Sequence, residues 1–263
     1  RLHPQGFPTS NHYGATADGL VMAYRAGAKL LYVGYIQYHP TGAAWPEQML
    51  GLLMSEALRS QGAQLVNVEG EMFVYRLETR DAVASCIIRE CGERGNGVTT
   101  PTGMVGAWLD TPLIDKICGE GTFLRRFAGI HSRYQKYDIN PVVEPILVYP
   151  TQHYQNGGLK IDDRCETDVP NLYAAGEVSG GVHGTNRLMG NSLLDVVVFG
   201  RRAGTAAAEQ AKAMKDGGKL TLDHLRSFHA ELKEAGIDRD HPSPMLLPEY
   251  RRAETTRRTI GIL

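Results

Sequence analysis

The side chains with the greatest chemical capacity crowd one short stretch. Between Gly176 and Asp195 the sequence places Glu177, His183, Asn186 and Arg187 among the glycines at 180, 181, 184 and 190. That is far more hydrogen-bonding capacity than a structural turn needs. A short apolar run, Leu172 to Ala175, leads in as a predicted strand, and an apolar helix beginning near Ser192 and passing Phe199 leads out. Strand, glycine loop and helix in that order let backbone N–H groups approach a planar or anionic ligand, because glycine has no Cβ and a helix N-terminus favours negative charge. Spacing alone also fits a tight turn with incidental glycines. The polar set inside the loop favours the ligand site.

Other catalytic signatures fail. Gly95-x-Gly97 and Gly119-x-Gly121 miss the third glycine of a dinucleotide loop, Ser192 sits in no Gly-x-Ser-x-Gly elbow, and Walker and His-Glu-x-x-His motifs are absent. The four cysteines, Cys86, Cys91, Cys118 and Cys165, form no Cys-x-x-Cys pair, which argues against zinc-ribbon, iron–sulfur and thioredoxin-type chemistry and leaves no predicted metal site. A net charge of −1 with no basic face argues against nucleic acid. No apolar run approaches the roughly 18 residues that span a bilayer.

Three stretches taken together carry a resemblance. The glycine loop Gly176 to Asp195, Gln37-Tyr-His-Pro-Thr-Gly42 and Pro150-Thr-Gln-His-Tyr-Gln-Asn-Gly-Gly158 resemble, in the same order, the flavoprotein subunits of fumarate reductase and succinate dehydrogenase, a family that includes L-aspartate oxidase. The resemblance covers roughly residues 10 to 210. Met189 stands where the family usually has glycine, and Asn156 where it usually has methionine. The implied cofactor is FAD, and the implied reaction interconverts fumarate and succinate by hydride transfer through flavin N5, in the reductive direction for a soluble form. An L-aspartate oxidase-type enzyme, which must bind an amino group, and a non-catalytic fragment or paralogue that binds a partner are the alternatives.

The resemblance also implies roles by position. His39, Ser55, His153 and Arg187 match the dicarboxylate ligands, with serine replacing the threonine of many members. Arg187 suits a bidentate carboxylate clamp, whereas each histidine need donate only one N–H. Arg80 matches the arginine that protonates the substrate carbon, and Glu56 and Arg59 match the relay that reprotonates it. Arginine is a poor acid by its reference pKa, so that role requires the relay. Asp18 matches a flavin-nucleotide contact in a segment reading Thr16-Ala-Asp-Gly19, with Ala17 in place of a glycine; a plain helix cap is its other reading. Glu177 is implied at the ribityl or ribose hydroxyls, and Ser192 and Leu193 at the isoalloxazine edge. The implied partners are a dicarboxylate substrate and an iron–sulfur electron-transfer protein, with a location that is cytoplasmic or peripheral at the inner membrane through partner subunits.

These residues need elements to hold them. Asp18 to Ala28 has one apolar helical face, and Leu30 to Tyr38 reads as a strand that delivers His39 at its end. Pro46 opens a predicted helix, Glu47 to Gln61, carrying Ser55, Glu56 and Arg59. A hairpin turning at Glu69-Gly70, a helix from Thr79 to Cys91 led by Arg80, a strand from Met104 to Asp110 and helices over 112–140 follow. Pro141 to Pro150 and Gly157 to Ile161 read as extended. The predicted fold is therefore an α/β flavin-binding domain, the C-terminal part of a Rossmann-like FAD domain, with an inserted α+β capping domain and a helical C-terminal tail. Residues 1–45 and 143–216 form the flavin domain, 46–142 the cap, and 217–263 the start of the tail, with a helix from Leu222 to Ala235 and a last one bearing Arg251-Arg252 and Arg257-Arg258. The opening Arg1-Leu-His-Pro-Gln-Gly-Phe-Pro is neither a signal peptide nor an initiator sequence, so the chain reads as a piece of something longer. The glycine fingerprint for the FAD pyrophosphate, and the histidine that attaches flavin covalently in some members, are expected upstream of Arg1.

Overall fold

The structure, a computed structural model, describes residues 7–12, 14–214 and 221–237. Of these, the residues through Ala213 belong to one compact unit, and Met214 and residues 221–237 to a second. The first unit is built on an antiparallel sheet in the order β2 (Ile36–Ala43), β6 (Ile146–Gln155), β5 (Val105–Asp110) and β3 (Gln64–Val66), with β4 (Val98–Thr99) pairing on β5. Strands β5 and β3, from the stretch expected to form the cap, thus join a sheet whose other half, β2 and β6, carries His39 and His153. A second, two-stranded sheet pairs β1 (Leu30–Leu31) with β7 (Gly158–Leu159). Parallel pairing among the described residues is confined to isolated bridges such as Leu159 with Ser179.

Two cores follow from this layout. The larger, with Leu58, Leu65, Ile87, Leu109, Ile114, Phe123 and Tyr134 all fully buried, lies where helices α3 (Arg80–Ile88), α4 (Leu113–Cys118) and α5 (Thr122–Gln135) meet one face of the five-stranded sheet. Burying side chains of this size stabilises by about 1.5–3 kcal/mol each. The smaller gathers Ala23 of α1 (Asp18–Arg25) with Ala28, Leu159 and Ala174. Helix α6 (Asn191–Ala213) buries only Asp195 and Ala206. In the second unit the amphipathic stretch forms α7 (Asp223–Glu234). The expected last helix with Arg251-Arg252 and Arg257-Arg258 lies outside the described residues.

Four local expectations are corrected. The run Leu30 to Tyr38 is not one strand: Tyr32 takes a left-handed φ of 52°, Tyr35 N–H returns to the Tyr32 carbonyl at 2.8 Å, and the two halves pair in different sheets. His39 therefore sits inside β2, beside a break in its register with β6, and not at a strand end. The helix expected over Glu47 to Gln61 reduces to a 3₁₀ turn, Glu47–Met49, and α2 (Glu56–Ser60). Between them Gly51 adopts φ 78°, and Gly51, Leu52 and Met54 bond to Ala43 and Thr41, because the open edge of β2 offers backbone partners a helix would forgo. Leu172 to Ala175 is not a strand: only Tyr173 makes a bridge, to Glu166, after the left-handed Asn171. Asp18 does not cap α1. The capping position is Ala17, in the left-handed region with no side-chain cap bond, and the Asp18 carboxylate accepts instead from the Thr16 hydroxyl at 2.7 Å.

Candidate active site

Strand β2, the starts of α2 and α3 and the glycine loop converge on one corner. Ser55 opens α2 by accepting the Ala57 N–H at 3.2 Å, which turns the next residue, Glu56, toward α3. Arg80, the first residue of α3, donates from Nε and Nη2 to Glu56 Oε2 at 3.0 and 2.8 Å. Arg59, one turn along α2, is fully buried; its Nη1 donates to the Arg76 carbonyl at 2.6 Å and its Nη2 lies 3.6 Å from Glu56 Oε1. Glu56 thus stands between two guanidinium groups. Arg59 Nε and Nη2 are buried without hydrogen-bond partners.

Gln37 ties this trio to the glycine loop. Its Oε1 accepts from Arg80 Nη1 at 3.2 Å, while its Nε2 donates to Asn186 Oδ1 at 2.6 Å and to the Arg187 carbonyl. Because an arginine can only donate, the amide has one orientation that satisfies all three contacts. Asn186 completes the ring by donating from Nδ2 to Asp81 Oδ1 at 2.7 Å. Arg187 is buried; its Nη1 donates to the Met189 carbonyl, and its Nε has no partner.

The two histidines face each other across β2 and β6, ring centroids 5.3 Å apart and edge to face. Burial, followed by the Arg80 cation and then His153, Arg59 and Arg187, holds His39 well below the usual histidine range. Burial and the Arg80 and Arg187 cations lower His153 to about 4. Both are therefore neutral near neutral pH and act as single N–H donors rather than cations. His39 Nδ1 accepts the Thr41 N–H at 3.3 Å, which leaves its proton on Nε2. His153 Nδ1 pairs with the Ser10 hydroxyl at 2.7 Å. Burial and then Arg80 also push the Arg187 guanidinium below its ordinary value, as burial does most strongly for Arg59.

Beside this corner lies a cleft of about 340 Å³ lined by His153, Tyr154, Glu177, Arg187, Ser192 and Leu193 among others. A second cleft, about 430 Å³, shares Asn11 and Glu177 with the first and is walled by Ala17, Gly19, Gly157 and Val178. A Cβ on Gly157 would meet the Tyr32 carbonyl oxygen at 2.0 Å, and one on Gly180 would meet Gly158 N at 2.4 Å, so only glycine permits this close backbone crossing. One Glu177 oxygen accepts the Gln155 N–H at 2.9 Å. Ser192 and Leu193 lie in the first turn of α6, whose N-terminus favours negative charge. The Glu177 carboxylate shared by both clefts, Gly19 and Gly157 in the wall of the second, and the α6 N-terminus in the first fit the ring and ribityl portion of a flavin. Asp18 is exposed and lines neither cleft, although its neighbours Ala17 and Gly19 line the second.

The structure thus gathers Arg80, Glu56, Arg59, His39, His153 and Arg187 at one corner, with Ser55 next in the chain to Glu56, and sets Glu177, Ser192 and Leu193 in the adjoining cleft. Sequence reasoning did not single out Gln37, Tyr154, Asp81 or Asp195. Asp195 had a signal: it is a lone carboxylate inside the apolar run Leu193 to Phe199, and it is only 3% exposed.

A mixed α/β fold with a cationic corner beside two clefts that share Glu177 defines a class, the FAD-binding domain of a flavoprotein. The chain belongs to the FAD binding domain family, whose model matches residues 1–193. It is 45% identical over 232 residues to a subunit of the CoM/CoB fumarate reductase of Methanothermobacter marburgensis, covering 85% of this chain and 39% of that protein. It is 38% identical over 229 residues to L-aspartate oxidase of Halalkalibacterium halodurans, covering 86% of this chain and 41% of that one. A solved structure of Escherichia coli quinol fumarate reductase matches with a TM-score of 0.75 at 31% identity, covering 90% of this chain and 42% of that chain. The chain spans about two fifths of the length of these curated relatives. Among the described residues no helix is long and apolar enough to cross a membrane, and no cluster of His, Cys, Asp or Glu could hold a metal ion.

Proposed function

We propose that the protein of which this chain is part reduces fumarate to succinate, with FAD supplying the hydride from N5 when bound. The observation that carries the reading is the charge imbalance of the corner: Arg59, Arg80 and Arg187 converge where, among the described residues, Glu56 alone forms ion pairs with them and Glu177 is a further anion acting on Arg187, and buried donors of Arg59 and Arg187 lack hydrogen-bond partners. Such a site is complementary to a small dianion. Arg187 holds one carboxylate through its planar fork, and His39 Nε2–H, the Ser55 hydroxyl and His153 hold the other. His153 donates from Nε2 when the Ser10 hydroxyl donates to its Nδ1. Neutral histidines donate without adding charge that would hold the product. Arg80 gives a proton to the substrate carbon, and Glu56 with Arg59 returns one to it, the Glu56 contacts of 2.8 and 3.6 Å forming the two ends of that path. Residues 46–142, joined to β2 and β6 in one sheet and so carrying His39 and His153 with them, act as a cap that brings Arg80 to Arg187 and excludes water when closed. The electron source this reading expects is an iron–sulfur subunit, with the complex in the cytoplasm or at the inner membrane.

An aspartate oxidase-type reaction is the second reading, favoured by the 38% identity to that enzyme. The two separate in one experiment on the full-length FAD-loaded protein. Flavin bleached by an artificial donor should recover its yellow absorbance when fumarate is added without oxygen, and L-aspartate should not bleach the oxidised form. Anaerobic bleaching by L-aspartate would replace the first reading with the second. A flavin unresponsive to both would remove both.

A further inference from the structure

The clamp arginine is held by a side-chain stack that the proposed chemistry leaves unused. The Arg187 guanidinium carbon lies 4.3 Å from the centre of the Tyr154 ring, over its face. The Tyr154 hydroxyl donates to Asp195 Oδ2 at 3.3 Å, and His183 Nε2 lies 3.2 Å from the same oxygen. The His183 ring packs edge-on against Tyr154, at 5.7 Å and 77°. Asp195 is 3% exposed and its second oxygen, Oδ1, is buried without a partner.

These observations need a common cause. A carboxylate buried in an apolar helical turn with one oxygen unsatisfied costs stability. Meanwhile Arg187 has few restraints of its own: Nη1 meets the Met189 carbonyl, and Nε meets nothing. The rotatable bonds of a long side chain would leave the fork mobile unless something fixed its plane. A ring face does that, and its grip strengthens when the phenol oxygen donates to an anion and the ring becomes more electron-rich.

Resting on the dicarboxylate reading, we propose that Tyr154, anchored by Asp195 and His183, is the positioning residue for Arg187, setting the guanidinium plane so that its fork meets a substrate carboxylate without reorganisation. None of the three touches substrate in this scheme; they act through Arg187. Burial and the Asp195 carboxylate push the Tyr154 hydroxyl above its ordinary range, so it stays a donor at every working pH.

The test is malonate binding to the full-length FAD-loaded protein, read from the flavin absorbance shift and not from turnover. Tyr154→Leu should weaken malonate by about tenfold, the worth of a desolvated cation–π contact. Asp195→Asn, which keeps the volume and removes the charge, should weaken it about threefold at the lower end of the same range. In an Arg187→Gln background Tyr154→Leu should add nothing, because the group it positions has gone. Wild-type malonate affinity in Tyr154→Leu, or the same tenfold loss in both backgrounds, would overturn the positioning role while leaving the clamp intact. Arg187→Gln binding malonate as tightly as wild type would instead bring down the dicarboxylate reading, and this proposal with it. If Tyr154→Leu fails to fold, Tyr154→Phe serves: loss of the hydroxyl anchor should weaken malonate measurably in the Arg187 protein only, and equal effects in both backgrounds overturn the proposal.

Discussion

Helix α3 has a buried polar cluster at each end, and the two are built on opposite terms. Just beyond its C-terminus Glu90, 2% exposed, accepts from Asn96 and Asn67 at 2.8 and 3.1 Å on one oxygen and from Arg94 at 2.7 Å on the other. Asn67 in turn takes the Glu69 and Glu71 N–H groups and closes the turn at Gly70. No buried side-chain atom of Glu90, Asn67 or Asn96 lacks a partner. At the N-terminus the terms reverse. Arg80 places a cation at the positive end of a helix dipole, which is locally unfavourable, and joins two more buried arginines whose donors are in part unmatched. A satisfied cluster staples a loop; an unsatisfied one with excess charge of one sign is what the proposed dicarboxylate site calls for, since local rules are broken where function requires it.

The contrast is broken or sharpened most strongly by Arg80→Gln in the full-length protein. It keeps a hydrogen-bond donor but removes the charge and the transferable proton, so fumarate reduction should fall by on the order of 10²–10⁴ while flavin reduction by an artificial donor is untouched. Unchanged fumarate reduction would take the proton-donor role away from this end of α3. Arg187→Lys comes next: an ammonium cannot reproduce the two-donor fork, and kcat/KM should drop about thirtyfold, some 2 kcal/mol. A loss under about threefold would show that the clamp lies elsewhere.

The other end of α3 should respond in stability and not in substrate affinity. Glu90→Ala strands Asn67 and Asn96 and should cost about 1–3 kcal/mol, read as a lower midpoint in urea, with dicarboxylate affinity unchanged. An altered affinity would mean the two ends are coupled. An effect of similar size is expected from pH. His153 is held at about 4 against an unfolded value of 6.5. Between those values the unfolded chain binds a proton that the native protein does not, so stability is full above 6.5 and declines as pH falls toward 4. His153→Gln should flatten part of that acid limb in urea unfolding at about pH 7 and about pH 5. A limb as steep as wild type would assign the acid sensitivity to His39 alone.

His39, His153 and Arg187 could be picked out because three motifs hold them, and Arg80 leads a helix that begins one residue after the expected Thr79. The long apolar run also placed α6, beginning at Asn191. The elements around these motifs were harder. Tyr32 and Gly51 are single residues at which positive φ divides runs whose hydrophobic pattern is continuous, and periodicity is blind to one backbone angle.

Residue types and spacing alone determined where charged and polar side chains concentrate around the glycine loop, and that the flavoprotein family was the one to compare the chain with. Only the tertiary structure decided which of those charges meet. Gln37 bonds Arg80 and Asn186 across 43 and 149 residues, and Tyr154 finds Asp195 across 41. Such pairings depend on sheet register and on how two helix starts are turned against a strand, and burial then sets protonation by removing water from groups whose composition is unchanged. A histidine is neutral or cationic, and an arginine clamped or free, according to neighbours that lie close in space and far apart in the chain.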